Sequence, residues 1–192
     1  MPTTSKKSNL GVFVALLRGV NVGGNNMISM KALKQSFEQL GYSQVSTYIN
    51  SGNIIFTSSK TDARKLEVEI EKMLVREYQL ESKVVVRTLA EMAKLVKSLP
   101  PSWTGDSDRR YYVIFLRHTI DSKKILDELP AKSDIEEVEY RPGTLLWSAH
   151  VSTLTRANVG KLPSRKLYQE MTVRNLNTTR KLHELMKKVA ES

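Results

Sequence analysis

The chain has 192 residues, 40% hydrophobic and 26% charged, the composition of a soluble globular protein with one domain or two small ones. It has no cysteine, which excludes disulfides, thiol nucleophiles and thiolate metal sites, and no apolar run nears the roughly 20 residues of a membrane span. Its net charge of +10 divides as +5 over residues 1–90, −1 over 91–150 and +6 over 151–192, which suits a phosphate-bearing partner or simply a solvated basic surface.

The opening MPTTSKKSNL is polar and lacks the apolar core of a secretory signal, so the cytoplasm is the expected location. Residues 12–17 (VFVALL) are apolar throughout, as in a strand buried on both faces. Gly19, Gly23 and Gly24 with Asn25 and Asn26 then break the chain, and Ser29 opens a helix with Met30, Leu33, Phe37 and Leu40 on one face, ended by Gly41. VSTYIN (45–50) predicts a strand with Val45, Thr47 and Ile49 inward, and NIIFT (53–57) returns as its hairpin partner through Ser51-Gly52. Thr61 and Asp62 start a second helix carrying Leu66, Ile70 and Leu74, and KVVVRT (83–88) is a fourth strand. The order β-α-β-β-α-β is the split pattern of ferredoxin-like domains.

Thr88 and Glu91 form a capping-box signature for a helix over 89–98, and Pro100, Pro101 and Gly105 mark an exposed loop beyond it. The order then repeats. RYYVIFLR (110–117) is a strand, Asp121 caps a helix ending at Pro130, and residues 135–140 and 144–149 form a hairpin around Pro142-Gly143. Ser164 opens another helix, and a last one carries Leu182, Leu185, Met186 and Val189. The expected fold is α+β, with two ferredoxin-like halves (1–88 and 89–192), an extra connecting helix and a C-terminal helix.

His118, His150 and His183 have no metal-ligand spacing, so no metal site is expected. The nucleophile elbow of α/β hydrolases and the phosphate loop of nucleotide hydrolases are both absent. Asp134, Glu136, Glu137 and Glu139 lie on or beside one strand, where a solvated edge that discourages edge pairing is the expectation. No motif specifies a reaction, a cofactor or an oligomeric state.

Helix starts remain. A helix N-terminus carries partial positive charge and favours Asp or Glu over Lys or Arg. Asp62 and Glu91 obey that preference, whereas Lys31, Arg165, Lys166, Arg180 and Lys181 contradict it. Such starts would suit phosphate or carboxylate, although each violation costs only a few tenths of a kcal/mol when exposed. The densest set of donors is Arg174, Asn175, Asn177, Thr178, Arg180 and Lys181; the asparagines there equally suit a structural cap. Arg18, Asn21, Gly23, Gly24 and Asn25 form a second set, and Asn53 belongs to a hairpin that needs no ligand to turn.

VALLRGVNVGGNN, MKALKQSFEQLGYSQVSTYINSGNIIF and KLPSRKLYQEMTVRNLNTTRKL together resemble the domain-of-unknown-function family 1697. Its members typically show an LRGINVGG start, a TYIQSGNVVF hairpin and a C-terminal RNWNT motif. The resemblance is strongest over the first 57 residues and weakest over 98–150. It implies a cytoplasmic α+β protein with no established reaction. Leu176 stands where the family usually has tryptophan, a lost stacking partner if that ring meets a ligand and a mild change if it only packs.

The first functional expectation is a small phosphorylated or nucleotide-like anion bound by the Arg18–Asn26 loop together with the Arg174–Lys181 segment, which requires the two to converge in space. Nucleic-acid binding is the alternative. It suits the charge and the ferredoxin-like order, but GNIIFT offers a stacking sheet only Phe56, and Tyr111, Tyr112, Phe115 and Trp147 fall in the stretch whose net charge is −1. A non-catalytic structural or interaction protein is the third reading.

Overall fold

The computed structural model describes residues 10–21, 27–105, 108–129, 131 and 134–192. Strand β1 (Gly11–Leu17) runs through the middle of the first sheet, antiparallel to β3 (Asn53–Ser58) on one side and β4 (Val84–Thr88) on the other. With β2 (Ser43–Thr47) outside β3, the order is β2-β3-β1-β4. Helices α1 (Met30–Gln39) and α2 (Ala63–Tyr78) cover one face, where Leu33, Phe37, Leu66 and Ile70 pack on Phe13, Ala15, Ile54 and Phe56. Val14, Leu16, Ile55 and Val85 point the other way and are buried as well. That is why β1 reads as an unbroken apolar run with no alternation.

The second sheet repeats the plan. Strands β5 (Arg109–Leu116), β6 (Glu136–Arg141), β7 (Thr144–His150) and β8 (Met171–Asn175) stand in the order β6-β7-β5-β8, antiparallel throughout. Between the sheets lie α3 (Leu89–Lys97) and α5 (Leu176–Glu191). Their Met92, Leu95, Leu182 and Met186 meet Val14, Leu16 and Ile55 of the first sheet and Val113, Phe115 and Leu146 of the second. Burying each such side chain contributes about 1.5–3 kcal/mol, so this middle layer holds the halves together. A short α4 (Ile125–Glu128) and 3₁₀ turns cover the outer face of the second sheet over Ile114, Leu116, Leu145 and Trp147. The architecture is the expected pair of ferredoxin-like halves with a connecting and a C-terminal helix.

Several local expectations are corrected. Asp121 caps no helix: its Oδ1 accepts from Gly143 N (2.7 Å) and the Tyr140 hydroxyl (2.9 Å), and α4 follows Lys124 without a side-chain cap. Ser164 opens no α-helix; it ends the second of three 3₁₀ segments, Val151–Arg156, Asn158–Ser164 and Lys166–Glu170. Gly160 and Pro163 explain this, the first by lowering helix propensity and the second by removing a backbone donor. The residues before α5, to which the sequence pattern assigns no strand, form the full strand β8. β2 stops at Thr47, because Tyr48 and Asn53 close the hairpin; Ile49 then turns outward, 51% exposed, with a left-handed φ of 49°. On the edge strand β6, Glu137 and Glu139 are solvated as expected, but Glu136 is buried and accepts from Trp147 Nε1 at 2.9 Å.

Candidate functional site

Of the two segments singled out in the sequence, Arg174 of the second reaches Leu17, the residue before Arg18, while residues 22–26 of the first lie outside the described residues. Strand β8 pairs with β5 beside the first sheet, and its Arg174 reaches across to the end of β1 and the β2–β3 hairpin. Arg174 Nε donates to Asn53 Oδ1 (2.5 Å), Nη1 to Val173 O (2.8 Å), and Nη2 to the carbonyls of Leu17 (2.8 Å), Ser51 (3.0 Å) and Gly52 (3.3 Å). Burial lowers its pKa to about 10, so it stays a cation at neutral pH. Gly52 makes room for this packing: its φ is +69°, and a Cβ there would sit 2.8 Å from Leu17 Cβ. Asn53 is itself held, with Nδ2 donating to Tyr48 O and Ser51 Oγ.

The other expected site residues are mostly engaged within the chain. Asn21, with a left-handed φ of 54°, clamps Ile28 by accepting from its N–H (2.7 Å) and donating to its carbonyl (2.9 Å). Gly23, Gly24 and Asn25 lie outside the described residues. Asn175 is the N-cap of α5 and accepts from Thr178 N at 2.7 Å, while the Thr178 side chain is buried. Arg180 donates to Trp103 O (2.8 Å), Lys181 pairs with Glu184 (2.9 Å), and Asn177 is exposed. The cations that contradict the dipole preference at α5 therefore have partners of their own. Leu176 lies in the core between the sheets, so its place is one of packing.

Arg18 is different. Its guanidinium carbon lies 5.6 Å from the centroid of the Tyr168 ring, and its buried Nε has no hydrogen-bond partner. The Tyr168 phenol is also within electrostatic reach of Arg174. Neither arginine has a carboxylate partner among the described residues. Asn21, Ile28, Ser29, Met30 and Asn50 line a separate hollow at the start of α1, whose lining includes neither arginine.

A second constellation escaped the sequence. A cleft of about 380 Å³ opens between the halves, lined from one side by α2, β4 and α3 and from the other by the end of β5 and the β6–β7 hairpin. Arg87 spans its wall, donating to Leu116 O (2.5 Å) and Gly143 O (3.1 Å). Glu67 on α2 is buried, and its Oε1 accepts from Val86 N at 3.0 Å. Burial raises its pKa above the ordinary carboxylate value, against the pull of that hydrogen bond and of Arg117, Arg87 and His118. Glu67 Oε2 is left without a hydrogen-bond partner, 3.7 Å from His118 Nδ1. No spacing rule could have found this group, since Glu67 reads as one helical carboxylate among several and its partners come from β4 and from the segment that follows β5.

A family model, described as a protein of unknown function (DUF1697), matches residues 10–147. The chain belongs to the DUF1697 family. The DUF1697 chain is also similar to a solved structure, the conserved bacterial protein SP0830 from Streptococcus pneumoniae, with a TM-score of 0.81 and 25% identity over 92% of this chain and 99% of that one. A comparison with functionally curated proteins found no match. Among the described residues of this DUF1697 protein no helix is long and apolar enough to cross a membrane, and no cluster of acidic and histidine side chains could hold a metal ion.

Proposed function

We propose that this protein binds a small phosphate-bearing or nucleotide-like anion in the cytoplasm, at Arg18 and the loop that follows it. What supports the proposal is the uncompensated charge: two guanidinium groups flanking Tyr168 without a carboxylate among the described residues, one of them with a buried Nε that donates to nothing. A buried donor without an acceptor costs about 1–3 kcal/mol, and an anion would relieve that cost and supply the missing counter-charge. Arg18 makes the contact. Arg174 acts through its field, since its donors already serve Asn53 and the carbonyls.

Nucleic-acid binding is less well supported, because the sheet faces that would stack bases are covered. Phe56, Phe115 and Trp147 are all in the core.

A thermal-shift series with inorganic phosphate, pyrophosphate and nucleoside mono- and diphosphates tests the proposal. A ligand at 100 times its dissociation constant adds about 2.7 kcal/mol. Arg18→Ala should remove the shift and Lys181→Ala should leave it in place. No stabilisation by any of these anions, or a shift that survives Arg18→Ala, would sink it.

A further inference from the structure

The cleft between the halves holds two buried polar atoms with nothing to bond. Glu67 Oε2 is one; the other is Oγ1 of Thr144, at the start of β7. Both residues are only 3% exposed, and both line the cleft. Native interiors rarely leave such groups unsatisfied, and a ligand is one of the few things that can satisfy two at once.

Their neighbours are already occupied. Asp121 is held by Gly143 and Tyr140, Arg87 by the carbonyls of Val86, Leu116 and Gly143, and Glu91 by the capping box of α3. Arg141 pairs with Glu139. Among the buried atoms of the wall, the free hydrogen-bonding capacity thus belongs to Glu67 Oε2 and Thr144 Oγ1, with the partly exposed His118 beside Glu67 at 3.7 Å. On the rim, Arg64 and Lys94 are exposed and have no carboxylate partner among the described residues.

A threonine hydroxyl both donates and accepts, and a carboxyl accepts when ionised and donates when protonated. The group that answers both in every protonation state is an alcohol. Two buried sites call for a molecule with more than one hydroxyl, Met92 and Leu95 offer apolar surface to its C–H face, and Arg64 and Lys94 suit a phosphate left at the rim. A volume of about 380 Å³ admits something of pentose phosphate size. We propose that the cleft binds a phosphate monoester of a small polyhydroxylated molecule, with its hydroxyls on Glu67 Oε2 and Thr144 Oγ1 and its phosphate between Arg64 and Lys94. The site shares no residue with the one at Arg18.

Isothermal titration of the full chain with ribose 5-phosphate tests this, with ribose and inorganic phosphate as its separated parts. Ribose 5-phosphate should bind at least tenfold tighter than either part. Thr144→Val and Glu67→Gln should each weaken it at least fivefold without changing the response to inorganic phosphate. Arg64→Ala combined with Lys94→Ala should weaken ribose 5-phosphate as well, and Arg18→Ala should remove the separate phosphate response of the Arg18 site while ribose 5-phosphate still binds in the cleft. Circular dichroism checks that each variant folds; if Glu67→Gln does not, Thr144→Val and the rim pair decide. Absence of heat at 10 mM ribose 5-phosphate overturns the proposal. So does binding unchanged in Thr144→Val, or binding lost in Arg18→Ala.

Discussion

Arg174 carries its charge into a site built only of neutral acceptors. Its planar fork reaches Asn53 and four carbonyls in different directions, which one ammonium group cannot do. Arg174→Lys should therefore lose about 2 kcal/mol and Arg174→Ala about 3–4 kcal/mol, read from urea midpoints at constant m-value. A loss below 0.5 kcal/mol in both would mean the contacts are incidental. Glu67 gives a prediction in pH. Its folded pKa lies above the ordinary value of 4.5, so the stability tied to its protonated form is fully present below that value and is lost as pH rises through the folded pKa. Glu67→Gln, which imitates the neutral form, should match the wild type in melting temperature near pH 4 and exceed it at pH 8. The reverse trend would show that Arg117, Arg87 and His118 outweigh burial.

At the scale of the element, the β2–β3 connection is shaped by where it must deliver Asn53 and the Ser51 and Gly52 carbonyls. Ile49 takes a left-handed φ there although it is β-branched and half exposed, a costly choice with no packing to offset it. Ile49→Gly should stabilise the protein by about 1 kcal/mol in thermal or urea unfolding. Destabilisation would mean that the isoleucine makes contacts that matter. The helix starts teach a related lesson. Composition alone marked α5 as a place for anions, yet Arg180 and Lys181 serve Trp103 and Glu184. Periodicity located α1, α2, α3, α5 and seven of the eight strands among the described residues. It missed β8, because TVRN is short, polar and pressed against a helix cap, so its identity comes from the partner strand β5.

For the molecule as a whole, the shared middle layer decides the behaviour. Helices α3 and α5 pack on both sheets, and arginines tie the halves: Arg174 to the first hairpin, Arg87 to Leu116 and Gly143, and Arg117 to Glu71. Unfolding should therefore be one cooperative transition. Trp103 lies in the core between the sheets and Trp147 in the core beyond the second sheet, so fluorescence of the single-tryptophan variants Trp147→Phe and Trp103→Phe should give midpoints that coincide with circular dichroism. Two separated midpoints would mean that the halves melt independently.

The sequence by itself determined the family, the class of fold and the residues worth watching, since apolar periodicity, caps and glycine turns are local signals written in neighbouring positions. Folding is what bonds Arg174 to Asn53, leaves Arg18 with an open donor, and sets Glu67 and Thr144 in the wall of one cleft. Hydrogen-bond satisfaction depends on which groups arrive from distant parts of the chain, and residues 67 and 144 become neighbours only when two sheets close on a common layer of helices.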